Sequence, residues 1–285
     1  MAIDPEAVGA STGPFESSWS EYECMRYALS VGAASEDPLG PELAYVTENT
    51  SGSPLRTLPT MCTVLGGVLH TPSPLAKIGR YDRKMVVHGS VELELQEPLP
   101  TVASVESTIT VDGIYDKGSG ALVSQRIDAV GPDGAGRFTV RNGIFIRGEG
   151  GWGGDRGPAW PAPESPAAEP DALVVQVTRA DQPLLYRMNG DHNPLHSDPA
   201  FAIAAGFERP IMHGMCTVGF VGRALLATLC DGDSTALRSL GCRFAAPALP
   251  GEPLETSIWR TAQGGQFEVR SGGRIVLSNG YCTLR

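Results

Sequence analysis

At 285 residues, with 41% hydrophobic and 19% charged side chains, the chain suits one large domain or two ordinary ones and is too apolar for disorder. Its formal net charge of −10 argues against a protein that tracks nucleic-acid phosphates, and an anionic small ligand would need a local basic patch.

Taken in chain order, the N-terminal "MAIDPEAVGASTG" has no apolar signal core. The spacing of "EYECMRYALSVGA" predicts a helix, and "TLPTMCTVLGGVLH" is a second, glycine-containing helix candidate. Four strand-like runs follow: "VVHGSVELEL", "TVASVESTITVDGIY", "ALVSQRIDAVG" and "RFTVRNGIFIR". Next comes "RGEGGWGGDRGPAWPAPESPAAEP". Its Gly148, Gly150 and Gly153 satisfy G-x-G-x-x-G, but Pro158, Pro161, Pro163 and Pro166 forbid the helix that a dinucleotide site needs there. The stretch reads as a linker over 148–170, dividing the chain into repeats at 1–147 and 171–285.

The second repeat copies the first in outline. "DQPLLYRMNGD" has helical spacing, "PIMHGMCTVGFVGRALLATLC" is a long apolar helix, and "LRSLGCRFAAPALP", "EPLETSIWRTA", "QFEVRSGG" and "RIVLSNGYCTLR" are strand-like. A helix apolar nearly all round must be buried. An α+β duplication follows, with an antiparallel sheet wrapped around a central helix in each repeat: a double hot-dog arrangement. The apolar run Ile211–Cys230 contains His213 and Arg223, so no membrane insertion is expected. Six scattered cysteines without a C-x-x-C pair, and an ending in "CTLR", predict a soluble cytoplasmic protein.

The chemistry concentrates in "YRMNGDHNPLHSDP", from Tyr186 to Pro199. His192 and His196 are four apart, but Pro194 disfavours a shared helical face, and no third ligand type supports a metal; none is expected. Asp191, Asn193 and Asp198 are also good turn and cap residues, and Asp198 should cap a helix starting at Pro199. That accounts for Asp198 and leaves Asp191, Asn193 and His196 unexplained. A proline-stiffened loop can instead hold a carboxylate and an imidazole around one water, which suits addition of water across an activated double bond. Gly214, at the start of the buried helix, offers a free N–H to a developing oxyanion, or simply lets the helix pack tightly.

"YRMNGDHNPLHSDPAFAIAAGFERPIMHGMCTVGF" resembles the signature of the MaoC-like, (R)-specific enoyl-CoA hydratases, the hydratase 2 family. The likeness continues in "CRFAAPALPGEPLETSIWR", "LHTP", "VVHGSVELELQEPLP", "DKGSG" and "GEGGWGGDRG". It implies a double hot-dog fold with a catalytic C-terminal repeat. Asp191 and His196 would activate water, Asn193 would support them, and the Gly214 N–H would polarise the thioester carbonyl. Ligand contacts are implied at His88, Gly89, Lys117 and Phe244, with His192 beside them. No metal or redox cofactor is implied, the CoA thioester being the substrate, and a homodimer is expected. Two positions depart from the pattern: Asn189 stands where Ser or Thr is common, and Ala246 where Lys is common. Competing readings are a dehydratase of carrier-bound acyl chains, a hot-dog thioesterase, and an acyl-thioester-binding protein with a relic site. Aligning Gly32 with Gly190 puts Ala33 opposite Asp191 and Pro38 opposite His196, so the first repeat lacks the acid/base pair, although "HG" recurs as His88–Gly89.

Overall fold

The computed structural model describes residues 3–66, 73–162 and 164–285. In chain order the first repeat contains β1 (Ser11–Trp19), α1 (Glu21–Ser30), α2 (Leu43–Val46), β2 (Val86–Leu95), β3 (Ala103–Asp116), β4 (Gly120–Val130) and β5 (Gly136–Arg147). The second contains β6 (Ala172–Val177), α3 (Gln182–Tyr186), α4 (Pro199–Ala204), α5 (Gly214–Leu229), β7 (Leu237–Phe244), β8 (Pro253–Thr261), β9 (Gly264–Ser271) and β10 (Arg274–Leu284).

All ten strands form one antiparallel sheet in the order β1-β3-β4-β5-β2-β7-β10-β9-β8-β6. Read from either edge inward, the order is the same, which is the double hot-dog duplication that the sequence pattern implies. The two halves join where β2 pairs with β7, with Ser90 opposite Arg243 and Glu94 opposite Ser239. Because that pairing is antiparallel, the start of β2 lies beside the end of β7. This brings a piece of the first repeat to the second repeat's helix.

Helix α5 is the axis of the fold. Every residue from Cys216 to Leu226 is buried, as an all-round apolar helix requires. One core unites both repeats, with Tyr27, Met61 and Leu93 from the first and Tyr186, Phe220 and Phe267 from the second. Gly222 lets Thr60 of the first repeat approach; a Cβ there would lie 2.6 Å from the Thr60 methyl.

Three expectations are corrected. The helix expected over "TLPTMCTVLGGVLH" is a short 3-10 helix, Pro59–Val64, followed by an extended Leu65 and a left-handed Gly66. Thr60 of this segment is pressed against α5 at Gly222, so packing rather than local propensity sets its course; residues 67–72, and with them "LHTP", lie outside the described residues. Strands β1 and β6 had no counterpart in the sequence reading. Both are edge strands, where Pro14 is tolerated in β1 and where Leu173, Val175 and Val177 of β6 remain exposed. Third, His88–Gly89 is not the structural counterpart of His213–Gly214: the first pair lies within a strand and the second opens a helix.

Candidate active site

The loop between α3 and α4 holds the candidate acid/base groups. Helix α3 runs into a 3-10 turn, Arg187–Asn189, and Gly190 then turns the chain with φ 112°. Asn189 at this corner is buried and donates to Ser30 Oγ at 2.7 Å and to the Tyr186 carbonyl at 2.9 Å. It ties the loop to the end of α1 in the other repeat. Asn193 caps the short 3-10 helix Pro194–His196 by accepting from the Leu195 N–H, and its own N–H donates to Asp191 Oδ1 at 3.1 Å. Asp198 caps α4, accepting from Ala200 and Phe201. Asn193 and Asp198 thus set the loop's shape, while His192 is exposed beside it.

His196 Nδ1 donates to the Ile211 carbonyl at 2.9 Å. A carbonyl can only accept, so neutral His196 carries its proton on Nδ1 and leaves Nε2 as a base. The imidazole stacks on His213, centroids 3.8 Å apart. His213 is fully buried at the N-cap of α5, and its Nε2 points to the Asp191 backbone carbonyl at 3.4 Å. One donor atom each from Asp191, His196 and His213 lies within 4.8 Å of the others. The metal pair considered from spacing, His192 with His196, is therefore not the set brought together. What could hold a cation is the trio with His213, and the same trio can equally hold one water by hydrogen bonds. Sequence reasoning passed over His213 as a site residue; its signal was its place directly before Gly214.

Gly214 is the first residue of α5, where a backbone N–H has no intrahelical acceptor and the helix dipole is positive. The Phe244 ring closes over it: a Cβ at Gly214 would be 2.7 Å from Phe244 Cε1. Phe244 in turn stacks on His88 at 4.7 Å, and His88 Nε2 meets Asn142 Oδ1 at 3.1 Å. Gly89 is the extra residue of a bulge, since His88 pairs with Ile144 and Ser90 with the next residue back, Gly143. His88 is close enough to Asp191 to feel its charge. Asp191, His196, Gly214, Phe244, His88 and Gly89 therefore form one neighbourhood. A cleft of about 210 Å³ opens beside His196 between Pro183, Leu184, Arg209 and Pro210. A larger hollow of about 750 Å³, lined by Arg141, Arg238 and Tyr281, contains none of these residues.

Lys117 lies elsewhere, in the β3–β4 turn. Its ammonium donates to the Arg156 carbonyl and sits 5.9 Å from the Tyr115 ring. Burial first, and then the neighbouring Arg156 and Arg243, lower its pKa.

Burial lowers the pKa of His88 to about 4, of His213 to about 4 with the nearby His196 adding to the effect, and moves that of His196 downward against its Ile211 and Asp191 partners. Folded-state values below the unfolded value of ~6.5 mean that the unfolded chain binds more protons between those limits. Stability is fully present above that value and is lost as pH falls toward 4. We expect the unfolding free energy to drop by about 1.4 kcal/mol per pH unit per histidine in this window, for up to two histidines. Denaturant melts between pH 7 and pH 4.5 check it, and a flat profile contradicts it.

Known proteins resemble this chain over both repeats. A profile described as MFE-2 hydratase 2 N-terminal domain matches residues 17–148, and one described as MaoC like domain matches residues 162–278. The chain is 40% identical to 3-hydroxyacyl-thioester dehydratase Y of Mycobacterium tuberculosis, over 98% of each chain. It is also 40% identical to enoyl-CoA hydratase ChsH3 of the same organism, over 91% of this chain and 90% of that one. Among solved structures, a MaoC-like dehydratase from Phytophthora capsici superposes with a TM-score of 0.89 at 24% identity, covering 99% of this chain and 98% of that one.

Proposed function

The chain belongs to the MaoC-like hydratase 2 family, and we propose that it catalyses reversible hydration of trans-2-enoyl-CoA to (R)-3-hydroxyacyl-CoA in fatty-acid or sterol side-chain metabolism. It is an enzyme, a hydro-lyase of acyl thioesters. The observation that carries the reading is the convergence of Asp191, His196 and His213 within 4.8 Å, with His213 directly before the Gly214 N–H that opens α5. A water held by the Asp191 carboxylate and His196 Nε2 forms the bond from its oxygen to the β-carbon as its proton passes to the pair. The C=C electron pair moves toward the thioester, and the Gly214 N–H and the α5 dipole meet the charge that gathers on the carbonyl oxygen. The pair then returns the proton to the α-carbon. His213 fastens the loop through the Asp191 carbonyl and backs the His196 ring. The (R) outcome rests on the family. His88, Gly89 and Phe244 shape the wall opposite the pair, His192 borders the entrance, and no metal or redox cofactor enters the reaction.

Six cysteines, all buried and free, support a reducing, cytoplasmic setting. Among the described residues no helix is long and apolar enough to cross a membrane. The homodimer expected from the sequence belongs to the same proposal. The second reading, a dehydratase of carrier-bound chains, uses the same residues and differs in what holds the pantetheine arm; the name of the 40% identical thioester dehydratase keeps it in view.

The test is a panel of enoyl-CoAs of graded length, with one ring-bearing chain and one carrier-bound enoyl chain, product chirality being determined after exhaustive chelation. We expect (R)-3-hydroxyacyl-CoA at undiminished rate. An (S) product, thioester cleavage, or loss of activity restored by zinc contradicts the proposal.

A further inference from the structure

The glycine-rich stretch after β5 does not hang between the repeats; it is wrapped around one carboxylate. Asp116, at the end of β3, accepts four backbone N–H groups. Oδ1 takes Gly118 and Gly151, both at 2.8 Å, and Oδ2 takes Gly153 at 2.7 Å and Gly154 at 3.4 Å. The Asp116 N–H itself donates to the Asp155 carbonyl at 2.7 Å. The residue composition of "GEGGWGGDRG" follows from this contact. Gly150 passes so close to the β3–β4 turn that a Cβ would lie 2.6 Å from the Gly120 backbone, and at Gly157 it would lie 2.6 Å from the Tyr115 ring.

Once wrapped, the stretch delivers Arg156 to Lys117, whose ammonium takes the Arg156 carbonyl. Arg243, the residue before Phe244, is near enough to act on the same ammonium. Lys117 is half-buried and Arg156 and Arg243 are exposed, and the charges of both arginines, on two other segments, act on the Lys117 ammonium in a chain of net charge −10. Among the described residues none of the three makes an ion pair, and Asp155 acts on Lys117 more weakly than the two arginines do. Asp116 is one residue from Lys117, yet its charge is spent on backbone N–H groups. Those contacts hold its carboxyl down at about 2, so the clamp stays ionised at any working pH.

We propose that Asp116 is a positioning residue: by folding the glycine-rich stretch it sets Arg156 beside Lys117, already a ligand contact by the family resemblance, so that Arg156 and Arg243 join it in holding the phosphates at the nucleotide end of a CoA thioester. The inference rests on the CoA reading above and deepens it. A nucleotide carrying a pyrophosphate and a further phosphate can use three clustered cations, whereas a carrier-bound arm has a single phosphodiester. A bound anion relieves the mutual repulsion of the three cations further than Asp155 does, and the clamp keeps the site assembled without it.

Asp116→Asn retains one acceptor oxygen and turns an NH2 toward N–H donors, which releases one limb of the wrap. The expected result is a KM for enoyl-CoA raised about tenfold with kcat within about twofold, the signature of lost uniform binding. The same enoyl chain on pantetheine, which lacks the nucleotide, should show unchanged kcat/KM. Equal loss with both thioesters makes Asp116 merely structural and overturns the inference, as does no loss with either. Lys117→Ala separates this from the underlying reading. A raised KM for enoyl-CoA in Lys117→Ala but not in Asp116→Asn sinks the clamp and leaves the CoA site standing. If the wild type does not distinguish the two thioesters and Lys117→Ala leaves KM unchanged, the CoA reading of the patch falls with it. Hydrogen exchange on the wild-type protein needs no variant to fold. Residues 151–157 should exchange more slowly once CoA is added, and unchanged exchange at saturating CoA contradicts the proposal.

Discussion

Asp191→Asn and His196→Gln are each expected to cut the rate of hydration by about 10²–10⁴ while the protein stays folded. The carboxylate and the imidazole act on one water, so losing either removes the route for its proton. For the same reason the double variant should be little worse than the single ones, since groups that act as a unit are not additive. Folding should survive because neither side chain anchors the loop alone. Asn at 191 can still accept from the Asn193 N–H, and Asn189 still ties the corner to Ser30. Single-turnover rates, with circular dichroism as the folding control, check the expectation. Near-normal turnover in either single variant would remove that residue from the chemistry.

Glu42→Ala is expected to destabilise the protein by about 3–5 kcal/mol, because it leaves a buried guanidinium without its counter-ion. Arg223 projects from the buried face of α5, with its side chain 6% exposed, and donates to both Glu42 carboxylate oxygens at 2.7 Å and to the Val31 carbonyl at 2.9 Å. Glu42 also accepts the Ala34 N–H. The pair fastens the long passage after α1 across the central helix, joining the repeats through their core. Such a loss should lower the melting temperature by roughly 10 °C. Replacing both partners by apolar residues, Glu42→Leu with Arg223→Met, should cost less than Glu42→Ala alone, since no charge is then stranded. Calorimetric melts of the three proteins decide this. A Glu42→Ala protein as stable as the wild type would mean that water reaches the pair.

What the sequence determined by itself was local or strongly periodic. Eight of the strands and the buried helix α5 follow from two-residue alternation and from all-round apolarity, which are properties of neighbouring residues. Gly190, Asp191, Asn193, Pro194 and His196 lie within seven positions, so their loop could be read, with the cap at Asp198, before any coordinates. Edge strands β1 and β6 escaped because an edge pairs on one side only, so its alternation is weak and Pro14 reads as a break. Over Pro59–Val64 the expected long helix gives way to a 3-10 helix packed against α5, a constraint that propensity within the segment does not contain.

Whatever depends on the two repeats meeting was decided by tertiary structure alone. His88 reaches Phe244 because β2 and β7 pair antiparallel across the middle of the sheet. His213 could be valued only once its ring was seen stacked on His196, seventeen positions back in the chain. The glycine-rich stretch looked like a spacer because its glycines have no meaning without Asp116 at their centre. Long-range contacts leave little trace in composition or spacing, and they are what turn two copies of one pattern into one site.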